Sequence, residues 1–249
     1  MHIPQRAFWW TLVLLVPLGC LLDFVFAQWF FQYPNVGVTL GILAPALGRP
    51  VPIEEYIFSV TGFLIHLLLY VWLGEFWLAS YNVPDYPGDA RKVRRLLLFI
   101  PSRCSRLCFS WRLHGSTRST SHSPKTRPVS RAISCSWSLE LLLPAMAFFP
   151  VAKPFINWRA LSLTLFFMAL LSVIWEATLA VPYQWWGFQR RQMIGLFIGA
   201  WSGLPVEEVF VWIAVTYATV IVFEIVKVLL VSERSVSDTL VAREVHSDA

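Results

Sequence analysis

From Phe8 to Phe31 the chain carries one charged side chain, Asp23, and at a helical rise of about 1.5 Å per residue the run spans roughly 35 Å, enough to cross a bilayer. Pro52 to Trp72, Leu161 to Val181 and Pro205 to Val231 repeat that character. Pro52 suits a first helical turn, where its missing N–H costs nothing. The second run ends at Gly74-Glu75 and is followed by Phe76, Trp77, Tyr81 and Tyr86, aromatics typical of a headgroup belt. Val36–Leu47 and Met193–Trp201 are apolar but fall short of the roughly 20 residues a span needs, so they read as re-entrant or interfacial pieces. A signal peptide would have a shorter core and a small-residue cleavage site. Pro17-Leu18-Gly19-Cys20 resembles a lipoprotein cleavage box, but apolar sequence continues past it through Phe26.

Composition agrees. Charged residues make up 14% of the 249-residue chain, against about 25% in soluble domains. The net charge of +5 would ordinarily suggest a nucleic-acid or anionic-lipid partner. It belongs, however, to one segment: 101–138 holds Arg103, Arg106, Arg112, Arg118, Lys125, Arg127 and Arg131 and no acid, and without those seven the balance is 13 basic against 15 acidic residues. No nucleic-acid partner is expected. Arg91, Lys92, Arg94 and Arg95 mark a loop placed in the cytoplasm by the positive-inside tendency. The four cysteines are too few and too unevenly placed for a disulfide framework. Cys104, Cys108, His114 and His122 have a spacing that fits no common zinc site, so no metal is expected.

The strongest organisational signal is a duplication. A constant offset of 153 pairs Arg6 with Arg159, Ala7 with Ala160, Thr11 with Thr164, Asp23 with Glu176, Pro52 with Pro205, Glu54 with Glu207 and Glu55 with Glu208, without a gap. Leu or Ala matches mean little in so apolar a chain; matched prolines and charges mean much more. The chain therefore divides into a first repeat at 1–100, an anomalous Ser/Arg-rich segment at 101–138, a second repeat at 139–231, and a polar tail at 232–249 expected to be disordered. The fold class is an all-α polytopic membrane protein with about six transmembrane helices.

In each half the acid of the first span lies about 22 Å along its helix, and Pro-x-Glu-Glu opens the next span on the side where the first one ends. Asp23, Glu54 and Glu55, and likewise Glu176, Glu207 and Glu208, should therefore share a leaflet. One Pro-x-Glu-Glu alone would read as a helix start whose acids suit the helix dipole. Two copies, each after another intramembrane acid, point to function, because ionisable side chains at membrane depth are costly. Such a cluster can hold a neutral carboxyl able to donate a proton beside an ionised one able to accept it. Trp29, Phe30, Trp175, Tyr183, Trp185, Trp186, Trp201 and Trp212 lie near these acids in sequence. Most would anchor interfaces and pack helices, but ring faces can also stabilise a cation in a dry pocket. His66, about 16 Å along the helix from Glu55, reads as a packing histidine; Glu224 and Lys227, spaced i, i+3, should pair.

The two motifs, Pro52-Ile53-Glu54-Glu55 and Pro205-Val206-Glu207-Glu208, with the upstream acids Asp23 and Glu176 and the aromatic run Pro182-Tyr183-Gln184-Trp185-Trp186, resemble the small integral-membrane lycopene cyclases, which occur as two related subunits or one fused chain. The resemblance covers Phe8 to about Glu75 and Arg159 to about Val231. It implies acid-catalysed isomerisation of an acyclic carotenoid end group to a cyclic ionone ring through a carbocation, without net redox and without a cofactor. By motif, Glu54, Glu55, Glu207 and Glu208 would be acid and base, with Asp23 and Glu176 beside them. Trp29, Trp175, Tyr183, Trp185, Trp186 and Trp201 would bind the hydrophobic polyene. The setting would be the cytoplasmic membrane, and a homo-oligomer is compatible with the sequence.

The chain has no Gly-x-Gly-x-x-Gly for a flavin, no Arg after either Glu-Glu for the Glu-Glu-x-x-x-Arg type of intramembrane metalloprotease, and no Asp-rich motif for a prenyltransferase. A non-enzymatic carotenoid-binding or assembly protein is the alternative.

In that family each half has three spans, so a third helix is expected between Leu96 and about Leu113. That window contains Pro101, Arg103, Arg106 and Arg112, and each mid-membrane Arg costs about 2.5–3.5 kcal/mol. Losing one span would put Glu207 and Glu208 in the leaflet opposite Glu54 and Glu55 and impair activity. Either 101–138 is an ordinary Ser/Arg-rich loop, or, as its richness in Ser, Arg and Cys between apolar flanks suggests, it is translated out of frame; an apolar helix in an alternate reading frame of the gene would decide for the latter.

Overall fold

The computed structural model describes residues 4–82 and 148–247. Within them the chain is built on four long helices: α1 (Gln5–Phe30), α2 (Ile53–Trp72), α3 (Trp158–Trp175) and α4 (Val206–Ser247). One π-helical turn extends α2 through Leu73–Trp77 and another extends α3 through Glu176–Ala180. Gln5–Phe30, Ile53–Trp77, Trp158–Ala180 and Val206–Val231 are each long and apolar enough to cross a membrane. Of the roughly six spans expected, the windows at 96–113 and 139–147 lie outside the described residues, as does 101–138.

The two short apolar pieces fold back as hairpin-like segments. Leu43–Ala44 pairs antiparallel with Val51–Pro52, and Phe197–Ile198 with Leu204–Pro205. Pro52 and Pro205 thus end these pairings and stand immediately before α2 and α4, one position earlier than the first helical turn expected of Pro52. Proline fits there because it lacks the N–H that a ladder or a helix interior would use. A third antiparallel pairing, Phe31–Gln32 with Gly187–Phe188, ties the chain leaving α1 to the chain leaving α3.

The packing centres on α4, whose apolar window is 61% buried against 28–39% for the other three. Val220 and Ile221 of α4 meet Leu12 and Leu15 of α1, Leu67 and Val71 of α2, and Ala160 and Leu161 of α3 in one buried cluster. Outward faces such as Trp9, Trp10, Val13 and Leu14 of α1, and Phe166, Leu170, Leu171 and Ile174 of α3, stay exposed and apolar, compatible with a lipid environment. Thr11 and Thr164, both fully buried, satisfy their hydroxyls on the carbonyls four residues back, Ala7 and Ala160, each at 2.7 Å.

Helix directions follow from contacts at the ends. Asn157 caps α3 by accepting from the Ala160 N–H, and its side-chain amide donates to the Leu78 carbonyl just beyond α2, while the Arg159 guanidinium lies 3.7 Å from the Tyr81 ring centre. The end of α2 and the start of α3 therefore share one end of the bundle. α3 runs parallel to α1, and the inversion expected from a lost span is not found. At this same end Tyr70 donates to Glu224 (2.7 Å), whose other oxygen pairs with Lys227 at 3.2 Å. The sequence-expected Glu224–Lys227 pair is present, and it is buried.

The tail departs from expectation. Instead of losing structure after residue 231, α4 continues to Ser247. Nothing between Val206 and Ser247 is Gly or Pro, so no strong helix breaker stops it.

Gly19 is the close approach between α1 and α2: a Cβ there would lie 2.5 Å from the ring of the buried Phe63. Gly19→Leu should destabilise the bundle by about 1–3 kcal/mol, the cost of overpacking a filled contact, measured as a lowered unfolding midpoint in detergent micelles. An unchanged midpoint would disprove this packing.

Candidate functional site

Helical spacing sets up the site. On α2, Glu55, Ser59, Gly62 and His66 follow one another at intervals of three or four and share a face; on α4, Glu208 and Trp212 do the same, as do Gly19 and Asp23 on α1. These three faces meet around a cavity of about 90 Å³ lined by Asp23, Glu55, Ser59, Glu208 and Trp212. A second, larger cavity of about 300 Å³ shares Phe31, Glu55, Phe58 and Glu208 with the first and adds Tyr33, Glu54, Trp175, Glu176, Trp185 and Trp186. Acids from both halves thus line two adjoining cavities that share Glu55 and Glu208.

Each of the four inner acids has a distinct environment. Asp23, 5% exposed, accepts a hydrogen bond from the Ser59 hydroxyl. Glu176, 1% exposed, accepts from the Trp212 indole N–H at 2.8 Å through Oε1. The carboxyl of Glu208 meets that of Glu176. Glu55 shares the smaller cavity with Asp23 and Glu208 and faces Tyr33, whose buried hydroxyl lies by the carboxyl without closing a well-formed bond. Burial, then the neighbouring Glu55, pushes the Tyr33 phenol up, so it remains a protonated donor aimed at the cluster.

The first glutamate of each pair does something else. Glu54 Oε1 accepts from the Leu40 N–H, and Glu207 Oε1 accepts from the Ile194 N–H, so each staples the preceding short apolar piece to the start of its helix. Among the described residues, the second oxygen of each is buried with no hydrogen-bond partner. Consecutive helical residues point about 100° apart, so a Glu-Glu pair cannot turn both carboxyls to one cavity equally. Of the glutamates expected to act together, the structure places Glu55 and Glu208 centrally and gives Glu54 and Glu207 a loop-holding bond.

The aromatic expectations divide. Trp175, Trp185 and Trp186 line the larger cavity, with ring centres 5.2 Å (Trp175–Trp185) and 6.3 Å (Trp175–Trp186) apart. A left-handed turn at Gln184 (φ 57°) precedes the Trp185-Trp186 pair. Trp29, Tyr183 and Trp201 are instead 42%, 61% and 40% exposed and line neither cavity. Sequence proximity could not tell which face of a turn each would take. Phe58, Tyr33, Ser59 and, as a direct partner of Glu176, Trp212 were not singled out. The i, i+4 relation of Glu55 to Ser59 and of Glu208 to Trp212 is the signal that could have found two of them.

Taken together, the site can hold an apolar group in contact with several carboxyls, a phenol and indole faces. Comparisons with protein-family models, curated proteins and solved structures give no match.

If Glu54 and Glu207 hold the loops, Glu54→Ala should free the 36–47 segment. The lost buried bond, worth about 1–3 kcal/mol locally, should appear as faster hydrogen exchange at Leu40 and its neighbours. Glu55→Ala should leave that segment protected; equal protection in both variants would refute the staple.

Proposed function

We propose that this chain cyclises the end group of an acyclic, lycopene-like polyene inside a bilayer, by acid catalysis and without net redox. The observation that carries this reading is the convergence of Glu55 and Glu208 in one apolar space walled by Trp175, Trp185 and Trp186. A carboxyl O–H adds its proton to the terminal double bond, leaving a tertiary carbocation. The π pair of a nearby double bond attacks that centre, closes the ring and moves the positive charge onto the ring. A carboxylate then removes a ring proton and forms the new double bond, so the proton count is restored and the product is an isomer of the substrate.

Each demand has a residue beside it. Glu55 and Glu208 are the acid–base pair, Asp23 and Glu176 are their neighbours, and Tyr33 and Ser59 are donors at the rim of the cluster. Indole and phenyl faces stabilise cations most where water is excluded, and Phe58 extends that wall, 5.8 Å from Trp186 and 5.5 Å from Trp212. An apolar cavity of about 150 Å³ accepts a benzene. The larger cavity here, about 300 Å³, suits a methylated six-membered ring rather than a whole polyene. The remainder of the chain would lie along the apolar helix faces.

The same reading takes the protein as two homologous repeats in the cytoplasmic membrane. Its support is the set of matched positions 153 apart, among them Thr11 and Thr164 with their identical back-bonds.

Expression in a lycopene-accumulating host followed by pigment chromatography tests the proposal. The unaltered chain should convert lycopene to a cyclic product. Glu55→Gln and Glu208→Gln should each lower turnover by about 10²-fold or more, the usual contribution of a positioned acid or base. A stably made protein that retains lycopene unconverted would overturn the enzymatic reading in favour of a carotenoid-binding role.

A further inference from the structure

We propose that His66 is a positioning residue for the Glu176 carboxyl, acting through the indole of Trp212. This role rests on the cyclisation reading, since the orientation of Glu176 matters for turnover only if the carboxyl cluster performs the chemistry.

His66 is fully buried on α2, behind the Trp212 wall of the smaller cavity, and lines neither cavity itself. Its Nδ1 lies 2.6 Å from the Gly62 carbonyl, which can only accept, so Nδ1 carries the proton and the ring plane is fixed by that bond. The remaining nitrogen, Nε2, is buried with no hydrogen-bond partner among the described residues. For a side chain that merely fills space this is a poor choice, because an apolar ring would fill the same space with no orphaned nitrogen.

What the tethered ring does is visible on its flat side. It stacks on Trp212 with ring centres 5.7 Å apart and planes 6° from parallel, while Phe58 meets Trp212 edge-on at 5.5 Å and 85°. Trp212 is therefore held by two rings at right angles and has little freedom to turn. Its Nε1–H donates to Glu176 Oε1, 2.8 Å away, and so fixes how the Glu176 carboxyl is presented to Glu208, whose carboxyl it meets. A phenyl ring in place of His66 would lack the Gly62 tether, so it could rotate and no longer fix the indole plane. Displacements of this kind, remote from the reacting atoms, are costly because proton transfer depends steeply on geometry.

His66→Phe keeps an aromatic ring at the position, and packing alone would tolerate it. The expected result is a fall in kcat of about tenfold with KM little changed, since the substrate walls are untouched. Trp212→Phe, which removes the donor to Glu176, should lower kcat further, and the double variant should be no slower than Trp212→Phe alone because both act through one bond. His66→Leu substitutes if the phenyl ring prevents accumulation, with the same expected loss.

The infrared carboxyl or carboxylate stretch identified by its disappearance in Glu176→Gln gives a readout independent of turnover: it should shift in His66→Phe and in Trp212→Phe. An unshifted band in the His66 variants, or losses that simply multiply in the double variant, would overturn the positioning role. If the unaltered protein leaves lycopene unconverted but the band still shifts, the cyclase reading fails while the His66–Trp212–Glu176 coupling stands.

Discussion

Four carboxyl groups, Asp23, Glu55, Glu176 and Glu208, brought together in an otherwise apolar bundle are the constraint on which the rest of the structure depends. Carboxyls at this depth are tolerated only when hydrogen bonds and neighbouring groups replace the water they lose. The partners come from different helices: Ser59 of α2 serves Asp23 of α1, and Trp212 of α4 serves Glu176 beyond α3. The acids thereby also specify how the helices assemble, because each bond forms only when two particular faces meet. With the carboxyls held in the bundle interior, the outer faces are dominated by Trp, Phe, Leu and Val, and the exposed Thr61, Ser162 and Thr178 bond their hydroxyls back to their own helices.

A division of labour follows from helix geometry. Adjacent glutamates at a helix start diverge by about 100°. One of each pair can look inward only if the other looks toward the preceding loop. Glu54 and Glu207 hold the loop through backbone N–H groups from Leu40 and Ile194, Glu54 while also bordering the larger cavity; Glu55 and Glu208 line both cavities. A Pro-x-Glu-Glu motif is in this sense a hinge clasp and a chemical group in four residues. The two hairpins it clasps are alike but not superposable: Leu43 pairs with Pro52, whereas Phe197 pairs with Pro205, an offset of 154 on one strand and 153 on the other. Similar pieces of chain thus surround one cavity unequally, and the four carboxyls acquire different neighbours. Chemistry that needs one group to give a proton and another to take it requires such inequality.

The opposite end of the bundle shows a polar arrangement with a different purpose. Tyr70, Glu224 and Lys227 are buried among helices rather than beside a cavity, and Asn157 joins them through its backbone N–H to the Tyr70 hydroxyl. The ion pair spans one helical turn and is completed by a donor from another helix, so it locks α2, α3 and α4 together where α2 ends and α3 begins. Breaking such a buried pair is costly, which suits a joint at the end remote from the carboxyl cavity.

The residues alone determined a good deal here. Long apolar runs forced four helices of spanning length, the near-empty charge pattern made each remaining acid conspicuous, and the spacing of those acids placed the three of each half in one leaflet, while only the tertiary structure brought the two sets to the same end of the bundle. Even the Glu224–Lys227 pair was legible, because i, i+3 contacts are local. What the residues could not show was which glutamate of each pair faces inward, which of Trp29, Trp175, Tyr183, Trp185, Trp186 and Trp201 reach the cavity, and that Tyr33, Ser59, Phe58 and Trp212 complete it. Nor did they show that α4 would continue through the polar tail, where composition suggested disorder but no strong breaker intervened. Periodicity specifies a face of a helix, whereas a site is made where faces from three helices and two loops meet. Only the tertiary structure could decide that meeting, because the contacts that set it join residues more than thirty positions apart along the chain, as Asp23 joins Ser59 and Trp212 joins Glu176.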